Sequence, residues 1–287
     1  MYECQKNFKI ELHTHSSLSD GVLSPQELIE FAISSGLNVL AITDHNCINP
    51  NLKELQDKYH NRILLPTGCE FSVGYKTVKG RLLQLHIGGI GFENDDEINR
   101  IVNYNNEAMR PYIEGIIKKL SSVCGIELCT YDELKERTPA ISIGRRHIAC
   151  ELLRQDYVKS IDEAFDMYIG DGKPAFISNA SRYATLQEVV PAIANSGVPI
   201  LNHLYKYNLT DEETDVLLAE FKYLGGIALE VYYSAYDHEK QAFLEKLSKS
   251  YGLLSSCGSD YHGDSEIKEL GRFPYEIYDR MIQNISK

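Results

Sequence analysis

The sequence predicts an α/β fold of the βα-barrel kind, interrupted by a helical insertion, and three observations point there. An apolar strand, an amphipathic helix and a second apolar strand follow one another over residues 8–42, which is a βαβ unit. Histidines and acids fall at or just past the ends of further strand-like runs, and side chains emerging at one end of many strands are how such a barrel assembles a site. Residues 97–184 lose the strand rhythm and carry helical signals instead. The chain therefore divides into a first barrel segment (1–96), a helical insertion over the barrel mouth (97–184) and a second barrel segment (185–287).

Phe8, Ile10 and Leu12 alternate with Lys9, Glu11 and His13, the period of two expected of a strand. His13 and His15 are two apart, so an extended backbone points both to one side, where they can share an ion. Ser24-Pro25-Gln26-Glu27 carries the signals of a helix start, with Ser24 at the N-cap, Pro25 at the first position and Glu27 closing a capping box. That helix runs through Leu28, Ile29 and Phe31 to Gly36, which suits a left-handed stop. Val39–Ile42 is the second strand, followed by Thr43-Asp44-His45. Ile63–Leu65 precedes Glu70, His86 closes Leu82–Leu85, and His203 follows Val198–Leu201. Strands at Ile227–Tyr232 and Leu253–Ser256 complete the series, the last leading into Ser259-Asp260-Tyr261-His262. Within the insertion, Ile98, Ile101, Ile113, Ile116 and Leu120 suit one long helix. Thr130 caps a short one, and 144–153 and 160–169 read as two more. The βα rhythm resumes with a helix over 185–195, stopped by Gly197 and Pro199.

Composition bounds the function. Hydrophobic content of 43% and charged content of 24% are those of a soluble globular protein. No apolar run approaches the roughly 20 residues of a membrane span, and the start has no apolar signal core, so a cytoplasmic protein with no membrane partner is expected. Seven cysteines form no CxxC pair and read as free thiols in a reducing compartment. A net charge of −12, from 29 basic and 41 acidic residues, disfavours a long nucleic-acid duplex as partner. It leaves room for a small phosphorylated substrate, because bound cations would supply positive charge. Oligomeric state has no signal in the sequence.

Imidazole and carboxylate are the side-chain ligands of divalent metals. His13, His15, His45, His86, His203 and His262 share the strand-end placement, and Asp20, Glu70 and Asp260 accompany them. Six such clusters along one chain point to a polynuclear metal centre. His60 and His238, in polar surroundings, read as ordinary surface residues. Asp44 is adjacent to His45, so the two diverge on a strand end, and Asp44 is expected to orient a histidine or the nucleophile. Tyr261, between two ligands, is expected to place its ring near the metals. Arg145, Arg146 and His147 open a helix, where guanidinium geometry and the helix N-terminus favour phosphate. Lys173, in a glycine-rich turn, is a weaker candidate of the same kind.

The segments HTHSSLSDG (13–21), TDHN (43–46), GCEFS (68–72), LHIGGIG (85–91), GRRHIA (144–149) and GSDYHG (258–263) together resemble the polymerase-and-histidinol-phosphatase (PHP) superfamily of metal-dependent phosphoesterases. The likeness is greatest to the branch that includes 3′,5′-nucleoside bisphosphate phosphatases and short-RNA 5′-exonucleases. It implies a distorted (β/α)7, TIM-like barrel with two to three divalent ions, Mn, Fe or Zn, with Mg as an alternative. By the resemblance, His13, His15, Glu70 and Asp260 hold one ion and Asp20, His45 and His262 a second. Glu70 then bridges to a third, completed by His86 and His203. Two departures stand out. Asn202-His203-Leu204 replaces the family's Ala-His-Pro, and Arg145-Arg146-His147 replaces Arg-Pro-His, which adds positive charge.

The expected activity is hydrolysis of a phosphate ester in a small metabolite, foremost a nucleotide, by a metal-activated hydroxide attacking phosphorus in line. Arg145 and His147 would offset charge on the equatorial oxygens. A sugar cyclic phosphate or histidinol phosphate is the alternative substrate, and a non-catalytic metal-stabilised module the alternative class. All nine ligand positions are filled, which argues for the enzyme.

Overall fold

The computed structural model describes residues 8–263 and 269–285. β1 (Lys9–Thr14) leads through α1 (Pro25–Ser34) to β2 (Val39–Ile42), which lies parallel to β1 with Ile10 opposite Val39. The signals at the start of α1 are realised atom by atom. Ser24 Oγ accepts from the Glu27 amide, the Glu27 carboxylate accepts from the Ser24 amide at 2.9 Å, and Gly36 takes φ +76°. After α2 (Leu52–Tyr59), β3 (Gly68–Lys76) and β4 (Leu82–Ile90) form an antiparallel hairpin, and β5 (Val198–Leu201) pairs antiparallel with β4. β6 (Ala228–Tyr233) and β7 (Leu254–Gly258) then add in parallel.

The sheets are mixed, whereas the βα rhythm read from the sequence implies parallel strands. A parallel pair needs a crossover, whereas residues 77–81 are a tight turn with no helix, so β3 and β4 must run opposite ways. β3 to β7 make a five-stranded sheet, and β2, β1 and the short β8 (Phe273–Pro274) a three-stranded one. The two meet at two seams through isolated parallel bridges, Thr14 with Tyr261 and His45 with Glu70. Ile63–Leu65 is not a strand. Leu64 makes one bridge to Val39, and Pro66 then denies a ladder its next donor. Glu70 and His86 consequently lie inside β3 and β4, opposite Gly88 and Ser72, and not beyond strand ends.

Between the sheet segments run α3 (Asp96–Cys124), α4 (Tyr131–Glu136), α5 (Arg145–Arg154) and α6 (Ile161–Ala164), the last continuing into a π-turn over Phe165–Ile169. These helices bury an apolar cluster of their own, including Ile113, Ile116, Leu120, Ile148 and Leu152. α7 (Leu186–Ala194), α8 (Asp211–Tyr223) and α9 (His238–Ser250) cover the five-stranded sheet, and α10 (Tyr275–Ile285) packs on the second core beside β1 and β7. No described helix is long and apolar enough to cross a membrane.

One polar side chain on α3 ties the helical segment to the sheet. Asn105 is fully buried, donates to Asn46 Oδ1 and the Ser72 carbonyl at 2.8 Å each, and accepts from the Ala184 amide at 2.9 Å. Its loss would strand buried backbone groups without partners. Asn105→Ala should therefore lower stability by about 3 kcal/mol, read as a shifted urea midpoint by circular dichroism. A midpoint within error of the parent would show that this network does not anchor the helices.

Candidate metal centre

The pleat of β1 turns Glu11 and His13 to one side, and His15, just past the strand, follows them. All three are buried. Glu11 is spent on the backbone: its carboxylate accepts from the amides of His13 and Ser259 at 3.0 Å and from Gly271 at 2.6 Å. His13 Nε2 lies 3.1 Å from Glu70 Oε1 and 3.4 Å from Asp260 Oδ1. His15 Nε2 lies 3.2 Å from Asp260 Oδ1 and 3.4 Å from Glu70 Oε2, while its Nδ1 faces Asp20 at 3.8 Å. His45 joins Glu70 at 3.1 Å and Asp20 at 3.7 Å through its two nitrogens. His262 Nε2 is 3.4 Å from Asp20, and His86 Nδ1 and His203 Nε2 are 3.3 and 3.0 Å from Glu70 Oε1.

Three groups have their donor atoms within 4.8 Å of one another: His13, His15, Glu70 and Asp260; His15, Asp20, His45 and His262; and His45, Glu70 and His86. The first matches the set implied by the family resemblance. The second gains His15. The third has His45 where His203 was expected. His203 still touches Glu70, but its Nε2 sits at hydrogen-bond distance from that carboxylate. Among the described residues no cysteine enters any group, and buried Cys69 Sγ donates instead to the Asp44 carbonyl.

The donor set fits divalent ions on two grounds. Among the buried polar atoms without a hydrogen-bond partner are His13 Nε2, both nitrogens of His15, His45 Nδ1, His86 Nδ1, Asp20 Oδ1 and Glu70 Oε2. Such atoms are costly unless something fills them, and here they converge. The charge states also suit. Despite burial, which acts to raise them, Glu70, Asp20 and Asp260 are held well below the usual carboxylate range, by His13 and His86, by His45 and His262, and by Lys206 and His13 respectively. Burial drives His45 and His203 down to about 3, so both offer lone pairs.

The remaining candidates fall in several places. Asp44 orients no histidine. It accepts from the Ser16 amide at 2.7 Å and from the hydroxyls of Ser16 and Ser19 at 2.6 Å, fixing the loop that carries Asp20. The Tyr261 ring turns away from the metal groups and packs on Phe31, 5.7 Å between centroids, within the apolar cluster that includes Leu28 and Ile42. Arg145 and Arg146 line the cleft above the metal groups, Arg145 paired with Asp171 at 3.0 Å. His147 turns back instead, its Nδ1 accepting from the Gly144 amide at 3.0 Å. Lys173 is exposed on its turn and lines no part of that cleft.

Sequence reasoning missed three residues. Glu230, on β6 and 1% exposed, accepts from His13 Nδ1 at 2.7 Å and from the His203 amide at 2.9 Å, so one carboxylate steadies two site histidines. Its signal was a lone acid inside the apolar run Ala228–Tyr233. Lys206 donates to Asp260 Oδ2 at 2.9 Å and lines the cleft, and Gln84 lies 2.9 Å from His86 Nε2. Both sit two or three residues from a histidine.

A PHP domain family model matches residues 11–259. The chain belongs to that family. This PHP chain is 32% identical, over 92% of its length and 93% of the relative's, to a 5′-3′ exoribonuclease of Haemophilus influenzae. It is 27% identical to a 3′,5′-nucleoside bisphosphate phosphatase of Chromobacterium violaceum, over 90% of this chain and 88% of that one. Among solved structures, an amidohydrolase from Chromobacterium violaceum with bound sulfate and no metal superposes with a TM-score of 0.81 at 26% identity, covering 94% of this chain and 96% of that one. A Bifidobacterium adolescentis structure shares the fold at a TM-score of 0.79 and 22% identity, with 96% and 95% coverage.

Without metal, His13 and His15 carry raised pKa values. Burial opposes protonation, but Glu70, Glu230 and Asp260 override it at His13, and Asp260 and Glu70 take His15 to about 10. Metal must displace those protons. Titrating metal-free protein with Mn²⁺ at pH 7 should release at least one proton per chain, and affinity should fall as pH falls. Calorimetry in buffers of different ionisation enthalpy measures this, and identical heats across buffers would contradict it.

Proposed function

We propose that this chain is a metal-dependent phosphoesterase acting on a small nucleotide, either a 3′,5′-bisphosphate or the 5′ end of a short oligoribonucleotide. The observation that carries the proposal is a cleft of about 540 Å³ whose floor holds Asp20, His45, Glu70, His86, Asp260 and His262 and whose walls hold Arg145, Arg146 and Lys206. Metal-competent donors and fixed cations in one cavity are what a phosphate ester requires. The names of the two curated relatives supply the substrate class. We also read the two sheets as parts of one distorted barrel, since the bridges at both seams continue the strand order, and the 97–184 segment as its lid.

In this reading His13, His15, Glu70 and Asp260 hold one ion, Asp20, His45 and His262 a second, and Glu70 with His86 and His203 or His45 a third. Mn, Fe or Zn suits the mixed imidazole and carboxylate set. Ions held by these residues would supply a Lewis acid that lowers the pKa of water and offsets charge on the phosphoryl oxygens. The protein's own part is positioning. Arg145 is held by Asp171 and by the rings of Phe165 and Phe176, 5.6 and 5.9 Å away, so its fork is preset for an anion. Lys206, between Asp260 and the Tyr233 ring at 5.1 Å, stays charged beside the reacting phosphate. The free thiols of buried Cys47, Cys69 and Cys257 suit the cytoplasm.

Phosphate release across mono-, bis- and cyclic phosphates with added Mn²⁺ tests the assignment. The supplemented protein should hold two or three metal equivalents by elemental analysis, and His13→Ala and Asp260→Asn should each lower both occupancy and turnover. Less than one equivalent in the parent would sink the polynuclear centre.

Substrate choice has its own test. A 3′,5′-bisphosphate should be hydrolysed with kcat/KM at least tenfold above the matching 5′-monophosphate, a gap of about 1.4 kcal/mol. Arg145→Ala should shrink that ratio while leaving the metals in place. Equal rates on the two substrates would return the reading to a less selective phosphatase.

A further inference from the structure

We propose that the cleft is built for two nucleosides, one on each side of the phosphate to be cleaved, so that a dinucleotide fills it and a mononucleotide leaves half of it empty. The inference rests on the nucleotide reading above and goes beyond it in assigning a second base site. The observation is a second lobe of about 390 Å³ that shares Gln84, His86, Tyr112, Arg145, His203 and Lys206 with the first. His86 and His203 both touch Glu70, so the two lobes meet at one flank of the metal-competent cluster. A phosphate seated there has room on both sides. A monoester needs room on only one.

The walls of the second lobe have the chemistry of a base and ribose site. Phe176, Ile177, Leu82 and Leu83 give it apolar faces. Leu82 is 52% exposed at the start of β4, an apolar surface that a stacked base would cover. Asn179 also lines the lobe, and its side chain is the most informative. The residue is 3% exposed, its amide nitrogen faces Met109 Sδ at 3.8 Å, and its carboxamide oxygen has no hydrogen-bond partner. The lobe thus sets one amide side chain among apolar faces, a lining that suits a base and its ribose. Arg81 lies in the same lobe, held by the Tyr207 and Asn208 carbonyls and by Glu213 at 3.0 Å, where it can meet the next phosphate of a longer chain.

The same bond breaks in both substrate types. Water oxygen bonds to phosphorus, the bond from phosphorus to O3′ of the 5′-terminal nucleotide opens, and that oxygen takes up a proton. In a bisphosphate the phosphoryl group leaves free. In RNA it leaves bearing the next nucleoside, and the second lobe is where that nucleoside sits.

The test compares a 5′-phosphorylated dinucleotide with the matching 3′,5′-bisphosphate on the full-length Mn²⁺-loaded protein. Ser178→Trp fills the second lobe from an exposed position, and Leu82→Glu removes an apolar wall on the surface. Either variant should lower kcat/KM for the dinucleotide tenfold or more and change it less than twofold for the bisphosphate, with thermal melting confirming the fold. A dinucleotide that is not cleaved while the bisphosphate is, equal losses on both substrates, or no loss in either folded variant would each overturn the inference and leave the phosphoesterase reading standing. Hydrolysis of neither substrate by the parent protein would remove the nucleotide reading and the inference together.

Discussion

The site is organised around a single buried carboxylate. Glu70 is fully inaccessible, yet nitrogens of His13, His15, His45, His86 and His203 approach within 3.0–3.4 Å, and Asn202 Nδ2 donates to it at 2.8 Å. An ionised carboxylate taken out of water is tolerated only when positive charge or donors surround it. That requirement explains why elements distant in sequence must meet there. β1 brings His13 and His15, the segment after β2 brings His45, β4 brings His86, and the turn after β5 brings His203. The bridge between His45 and Glu70 at one seam is thus both a joint between sheets and a contact within the site.

Backbone strain is concentrated at the same place. His203 has φ +31°, Asp260 φ +58° and Asn46 φ +46°, left-handed conformations that cost an ordinary residue about 1–2 kcal/mol and that Asn and Asp adopt more readily. Each is a site residue or directly follows one. The surrounding contacts hold them: Glu230 takes the His203 amide, the His13 carbonyl accepts from the Asp260 amide at 2.9 Å, and the Glu70 carbonyl accepts from the Asn46 amide at 2.9 Å. Gly258 shows how tight the seam is, since a Cβ there would meet His13 Cβ at 2.2 Å. Side chains are aimed here against local preference, which is what a preset site needs.

Much of this was legible in the sequence because ligand chemistry is conspicuous and local. The spacing of His13 and His15 and the capping box at Ser24 each depend on a few consecutive residues, and both appear in the structure. The long helix at Asp96–Cys124 was equally readable from its apolar period. What escaped depends on pairing across the chain. The direction of β4 follows from a turn too short for a crossover, which apolar periodicity does not report. Glu230 looked like a stray acid in a strand until the fold brought it beneath His13, 217 positions away in sequence. Tyr261 sat between two ligands in the sequence and Asp44 beside one, but each faces other partners, the Phe31 ring and the Ser16 and Ser19 hydroxyls. His147 was read as a phosphate contact, and the structure engages its Nδ1 with the Gly144 amide at the start of α5.

Charge distribution then argues for short substrates. Among the described residues, the acids of the metal-competent groups are Asp20, Glu70 and Asp260, so most of the acidic charge lies elsewhere in the chain. A net charge of −12 disfavours a long polyanion, whose binding rests on neutralising phosphates with Lys and Arg. The cleft is the exception. Arg145, Arg146 and Lys206 face it, and α5 and the π-turn after α6 help to wall it in. On the proposed reading, that cleft is where a nucleotide or a chain end would be attracted. On the nucleotide reading proposed above, selectivity for ends would follow from where these cations lie, and base contacts would add only discrimination among ends.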